Sequence, residues 1–223
     1  MKKYPKMKPS GVEWIGEVPE GWAVKKVKYV AKKIGSGVTP KGGSEVYQTE
    51  GVPLLRSQNI YFNGLKLDDV AFIAEDVHNS MSNSKVLEGD VLLNITGASI
   101  GRCYFYEGQL GEVNVNQHVC IIRPNEKTQT KYLYYFLSSE IGQLQIELTQ
   151  TGSGREGLNF ENLKNFLFPL PDKEEQITIA TYLDQKTTQI DTAILGIQQE
   201  IALLQEYRQA LIFEAVTGKV CVI

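Results

Sequence analysis

Covalent chemistry needs a nucleophile, a general base or metal ligands at workable spacing, and the histidines are the first places to look. An imidazole titrates near neutral pH and serves as base or ligand. His78 and His118 stand 40 residues apart without metal-spaced partners, so no metal site is expected. His118 precedes an apolar run and reads as a hydrogen-bonded polar or core residue. The carboxylates are scattered, with no nuclease-like cluster. Cys103, Cys120 and Cys221 are odd in number and far apart, which suits reduced thiols better than disulfides or a zinc set. Ile34-Gly35-Ser36-Gly37 faintly resembles a cofactor-binding glycine loop, but no βαβ unit surrounds it. The stretch from Gly37 to Gly43 lacks the Gly-Lys-Ser/Thr ending of a P-loop. The Asp/Asn-Pro-Pro-aromatic motif of amino-methyltransferases is missing too. The residues argue for binding without catalysis, and no catalytic residue, metal or cofactor is assigned to this chain.

Three polar, glycine-containing stretches are left as binding candidates: Arg56-Ser57-Gln58-Asn59, Asn94 to Ser99, and Thr151-Gly152-Ser153-Gly154-Arg155. The net charge of −3 looks unfavourable for an anionic partner until it is divided along the chain. Residues 1–41 carry ten Lys against three Glu, whereas residues 42–160 carry eight basic and fourteen acidic side chains. A basic segment attracts phosphate even in an acidic molecule, although such lysines can equally just solubilise an arm. No apolar run approaches the roughly 18 residues of a membrane span. The charged N-terminus has no apolar run behind it, so the cytoplasm is the expected location.

These loops need a scaffold. Residues 1–171 read as a mixed α+β domain. Strands are expected at 52–56, 70–73, 91–95, 102–106 and 119–123, each short, rich in β-branched or aromatic residues and bounded by turn formers. An ordered element begins at Trp22, and glycine and proline make 34–43 a loop. Thr130 can cap a helix running to about Leu148, and Asn159 to Lys164 reads as a short helical turn. Strands and helices follow no regular βαβ rhythm.

From Asp172 the character changes. Asp172 is a plausible N-cap with Glu175 three residues on, a capping-box arrangement. No proline follows, and the next stop signal is Gly218 with Lys219 behind it. The expected helix, 172–218, is a rod of roughly 65 Å, with 219–223 as a tail. Leu183, Ile190, Ile197, Leu204 and Leu211 repeat every seven residues, interleaved with Ala180, Thr187, Ile194, Ile201 and Arg208. That is a coiled-coil seam, with polar Thr187 and Arg208 weakening it at its ends. Leu195, Ala202, Leu203 and Ala210 form a second stripe nearly opposite, where a two-stranded coil faces water. Such a stripe implies helices of a partner packing outside, or docking on the chain's own domain.

Several phrases resemble one family. Val18-Pro19-Glu20-Gly21-Trp22, Gly35-Ser36-Gly37-Val38-Thr39-Pro40 and Val52-Pro53-Leu54-Leu55-Arg56-Ser57-Gln58-Asn59-Ile60 look like the opening of a target-recognition domain. So do residues 87–102, ending Thr96-Gly97-Ala98-Ser99-Ile100-Gly101-Arg102, and Asn116-Gln117-His118-Val119. Phe168-Pro169-Leu170-Pro171, Glu174-Glu175-Gln176-Ile177 and Phe213-Glu214-Ala215-Val216-Thr217-Gly218-Lys219 complete the pattern. Together they are similar to the specificity subunit of type I restriction-modification enzymes over nearly the whole chain. That subunit carries two recognition domains and two long helices, paired antiparallel. This sequence has one of each and no internal repeat, which implies a half-subunit.

The resemblance implies a non-catalytic chain that reads one half of a bipartite DNA target. As a homodimer joined by an antiparallel coiled coil, it would read an inverted repeat. Methylation subunits carrying S-adenosylmethionine would dock on the outer stripe, and a restriction subunit is a further implied partner. Arg reads guanine and Gln or Asn reads adenine through paired hydrogen bonds. Arg56, Gln58, Asn59, Ser153 and Arg155 are therefore the expected base-contacting residues, and Lys41 an expected phosphate contact. Each has a plainer alternative, such as bonding turn backbone or pairing with a carboxylate. The competing reading is a stand-alone homodimeric DNA-binding regulator without a methylating partner. A self-sufficient methyltransferase and a purely structural scaffold stand further off.

Overall fold

The structure, a computed structural model, describes residues 3–150 and 157–222. Chain contacts divide it into two units, residues 1–178 and 179–223.

Apolar sequence runs become strands covered on both faces. Val91–Asn94 is buried at every position, and Val119–Pro124 is buried over its first four residues. They are neighbours in a four-stranded antiparallel sheet, ordered Cys103–Phe105, Val91–Asn94, Val119–Pro124 and Ala31–Ser36. In a second sheet Val52–Leu55 lies between Asn114–Val115, parallel to it, and Ala71–Ile73, antiparallel. Alternating side chains send Leu55 into one core cluster with Ile60, Leu92, Val119 and Ile121. Val52 and Leu54 enter another with Ala71, Ile73 and Met81. One strand thereby joins the two cores.

Helix Thr130–Ser138 packs on Cys103–Phe105 and Val91–Asn94 of the first sheet, with Tyr134 edge-on to Phe105 at 5.1 Å. Its cap is Gln129, whose side chain accepts from the Tyr132 amide, and not Thr130. Thr130 instead donates its hydroxyl to the Gly89 carbonyl. The expected single helix to about Leu148 is two, because Ser139 is extended and a second helix, Glu140–Gln150, starts immediately after it. Gly142 makes this tight turn possible: a Cβ there would lie 2.3 Å from the Phe136 carbonyl oxygen. The expected loop at 34–43 is likewise shortened, since Ala31–Ser36 pairs with Val119–Pro124 straight through Gly35. A short helix, Phe160–Asn165, forms where a helical turn was expected, and Asn159 caps it by accepting the Asn162 amide.

Cys103 and Cys120 are fully buried, and desolvation raises both thiol pKa values, that of Cys120 to about 12. They behave as small apolar side chains.

The long helix spans Lys173–Val216. Asp172 accepts the Glu175 amide at 2.9 Å, so the cap is as expected. The Glu175 side chain does not reach back to close a capping box. It accepts from the Tyr4 hydroxyl at 2.7 Å and the Trp22 indole at 2.9 Å. That hydrogen bond to a carboxylate pushes the Tyr4 pKa up to about 12. At the other end Gly218 turns to φ +72°, and the Lys219 amide returns to the Glu214 carbonyl. Along this unit Ile190, Ile194, Ile197, Ile201, Leu204 and Leu211 are 46–60% exposed. Leu195, Ala202, Leu203 and Ala210 are exposed as well. No helix among the described residues is long and apolar enough to cross a membrane.

Candidate nucleic-acid interface

Four segments far apart in sequence meet at the ends of the buried strands. The first leaves Ala31–Ser36 through Gly37, whose amide donates to Val119 O. A Cβ on Gly37 would lie 1.8 Å from the Val115 carbonyl oxygen, so only glycine lets this segment cross there. Two residues on, the Thr39 hydroxyl donates to Gln117 Oε1 at 2.5 Å.

The second segment, 116–118, places His118 between two partners. Its Nε2 meets the Gln117 amide nitrogen at 2.8 Å, and its Nδ1 meets the Thr96 hydroxyl at 2.6 Å. With both ring nitrogens engaged, the imidazole is held in place. The third segment is the glycine loop after Val91–Asn94. Gly97 and Gly101 take positive φ there, and Arg102 follows directly.

Asn94 ties this loop to the fourth segment by donating to Ser57 O at 2.8 Å and to Ser99 Oγ at 3.1 Å. Beyond Ser57, the Tyr61 ring is flanked by cations, Arg102 at 4.7 Å and Lys66 at 4.1 Å from its centroid. The result is an open cleft of about 420 Å³ lined by Ser57, Gln58, Tyr61, Thr96, Arg102 and His118, with Gly97 to Ser99 between them. Among the described residues its lining holds no carboxylate. It offers amide, hydroxyl and guanidinium donors beside an aromatic face, a set that binds polar or anionic ligands.

The expected base readers fare differently. Gln58 lines the cleft, and its amide donates to Asp69. Arg56 donates through Nη2 to the same residue, at 2.8 Å to its carbonyl and 3.1 Å to its carboxylate. Asp69 thus holds both side chains in the described state. Asn59 is a correction. It is 1% exposed, accepts the Arg56 amide, and donates to Lys66 O and Asp69 O. Its groups are consumed inside the fold, where they shape the Arg56 turn. Lys41 is exposed on the first segment. Ser153 and Arg155 lie outside the described residues; beyond them Gly157 bridges to Thr96 at the cleft. Thr96 belongs to the expected 94–99 stretch, His118 was expected only as a hydrogen-bonded polar or core residue, and Tyr61 and Arg102 were not among the expected contacts. The signal for Arg102 was the Thr96-Gly97-Ala98-Ser99-Ile100-Gly101-Arg102 phrase itself, a glycine loop ending in a cation.

Comparison with known proteins bears on this arrangement. Residues 19–203 match the family described as type I restriction modification DNA specificity domain. The chain is 28% identical over 211 residues to the type I restriction enzyme MjaVIII specificity subunit of Methanocaldococcus jannaschii, covering 92% of this chain and 48% of that protein. It is 23% identical over 209 residues to the EcoKI specificity subunit of Escherichia coli, covering 92% and 44%. The fold is shared with the crystal structure of the HsdS subunit from Thermoanaerobacter tengcongensis, at TM-score 0.65 and 22% identity, covering 96% of this chain and 48% of that one. The chain therefore spans about half the length of the curated relatives it matches. With a family match across both the strand scaffold and most of the long helix, the chain belongs to the type I restriction modification DNA specificity domain family.

Proposed function

We propose that the domain of residues 1–171 reads one half of a bipartite site in double-stranded DNA, as a non-catalytic part of a type I restriction-modification enzyme. The observation that carries this is the cleft, whose lining brings Gln58, Arg102 and their neighbours to one surface and contains no carboxylate of its own among the described residues. Family membership supplies the kind of ligand. Gln58 and Arg56 are pre-positioned by Asp69 and exchange that carboxylate for base edges. Arg102 and Lys41 face base or phosphate, and Ser153 and Arg155 add contacts from the neighbouring segment. Replacing Arg102 with Ala lowers affinity for the cognate half-site about 10- to 100-fold, the cost of one good side-chain contact. Fluorescence anisotropy at fixed salt on the mapped site checks this. Unchanged affinity removes Arg102 from the interface.

The exposed seam supports pairing with a second copy of this chain through an antiparallel coiled coil centred on Ile190, Ile194, Ile197, Ile201 and Leu204, extended by Leu183 and Leu211. Each Leu or Ile moved fully out of water contributes about 1.5–3 kcal/mol. The seam residues of two copies together can exceed the roughly 4–15 kcal/mol cost of association. Two identical readers then address an inverted repeat, with the paired helices as spacer.

The second stripe, Leu195, Ala202, Leu203 and Ala210, is the docking face for methylation subunits, which bring S-adenosylmethionine; a restriction subunit completes the assembly. This stripe favours that reading over a stand-alone regulator. In the variant carrying Leu195→Glu and Leu203→Glu, copurification with a coexpressed methylation subunit is lost and the dimer persists. Simultaneous loss of the dimer would assign the stripe to the seam instead.

A further inference from the structure

Sequence spacing gave no reason to expect a metal, yet the fold assembles a set of ligands well away from the cleft. His78 lies on the short helix Glu75–Ser80 and is 1% exposed. Glu75 is three residues earlier, on the same face of that helix. Glu112 comes from the turn before Asn114–Val115, 34 residues along the chain. One imidazole nitrogen and one oxygen from each carboxylate all lie within 4.8 Å of one another.

The tautomer of His78 follows from its neighbour. Asn114 is buried, and its amide nitrogen donates to Ser84 Oγ at 2.9 Å and Met81 O at 3.2 Å. Its carbonyl oxygen is thereby turned to His78 Nδ1, at 2.5 Å, and can only accept. Nδ1 carries the proton. Nε2 is buried and has no hydrogen-bond partner among the described residues. The nearest carboxylate oxygen, on Glu112, is 3.6 Å away, too far for a hydrogen bond. A buried nitrogen left unsatisfied is costly and needs a reason. An imidazole whose Nδ1–H is fixed by a carbonyl, with Nε2 open toward two carboxylates, is the arrangement of a metal-ligating histidine.

We propose that His78, Glu75 and Glu112 bind a zinc-class divalent cation that clips the Glu75–Ser80 helix to the 108–113 turn. Bonds of about 2.0–2.2 Å to each ligand put ligand atoms roughly 3.4 Å apart in a tetrahedral site. The spacing between His78 and Glu112 already meets this. Glu75 and Glu112 are exposed at their carboxylates, so small rotations close the rest. The mixed nitrogen and oxygen donor set selects zinc over magnesium or calcium. Lys85 lines the same cavity, but its ammonium is turned to Asn79 Oδ1 at 3.1 Å, leaving the carboxylates to the cation. None of these residues lines the polar cleft, so the site is independent of DNA reading.

The test uses the purified full chain, stripped with a chelator and titrated with ZnCl2 against a chromophoric competitor. The expected result is one zinc per chain, no competition by magnesium, and a Tm raised by roughly 5–10 °C at about a hundredfold excess over Kd. The Glu75→Gln, Glu112→Gln double variant, changed only at exposed side chains, keeps the metal-free Tm and binds zinc at least tenfold more weakly. Cys221→Ser binds as the parent does. The proposal is overturned if the stripped chain takes up no zinc, or if the double variant binds it undiminished. Binding that disappears with Cys221→Ser overturns it equally.

Discussion

Aspartate at both Ile197 and Ile201 is expected to turn the pair into monomers at micromolar concentration. The two residues sit four apart, one on each of the two interleaved stripes that form the seam. Both are at least half exposed in the single chain, so neither substitution disturbs a packed interior there. In a pair, each change removes about 1.5–3 kcal/mol of apolar burial and adds a carboxylate that must lose water without a partner. Applied to two copies, a weakening of Kd by roughly 10⁴-fold or more follows. Sedimentation equilibrium reads it directly. The recognition domain should melt unchanged, since its core clusters contain neither residue. A dimer that survives both aspartates would place the self-association elsewhere and leave the seam without a role.

Asp90→Ala carries the largest expected effect on stability. The Asp90 carboxylate is 0% exposed and accepts Arg123 Nε at 2.7 Å, Arg123 Nη2 at 2.8 Å and the Leu87 amide at 2.7 Å. It thus holds the turn into Val91–Asn94 and the far end of Val119–Pro124 together. The bond from Asp90 is also the main reason the Arg123 pKa is raised. Without the carboxylate, a guanidinium stays partly buried beside Lys33, whose own pKa desolvation and Arg123 already lower. Removing one partner of a buried pair costs about 3–5 kcal/mol. The lower figure suits an arginine with some solvent access, and corresponds to a Tm lower by roughly 6–12 °C. Calorimetry of the purified variant measures it. A loss under about 1 kcal/mol would show that the pair is screened and the turn held by backbone alone.

The parts of this fold written locally were legible in the sequence. Asp172 announces its helix because a cap acts over three residues, and Gly218 ends it because few other residues turn to positive φ. Val91–Asn94 and Val119–Pro124 read as strands because burial on both faces requires unbroken apolar runs. What stayed hidden depended on distant partners. Glu175 closes no capping box because Tyr4 and Trp22, more than 150 residues away, claim its carboxylate. The break at Ser139 could not be seen in a continuous apolar face, since it rests on Gly142 packing against Phe136.

The site divides in the same way. Gln58 was readable as a polar side chain on a loop, and it does line the cleft. Asn59 beside it reads identically but is buried, because Lys66 and Asp69 offer carbonyls that the sequence does not reveal. Arg102 and His118 become neighbours only when the third and second segments meet, and His78 finds Glu112 only through the fold.

The most direct test of the central claim is to coexpress this chain with a type I methylation subunit and map methylated adenines across the host genome. The expected result is a split motif whose two halves are the same sequence, inverted about a fixed spacer. Methylation at a single undivided motif, or at two unrelated halves, would contradict it.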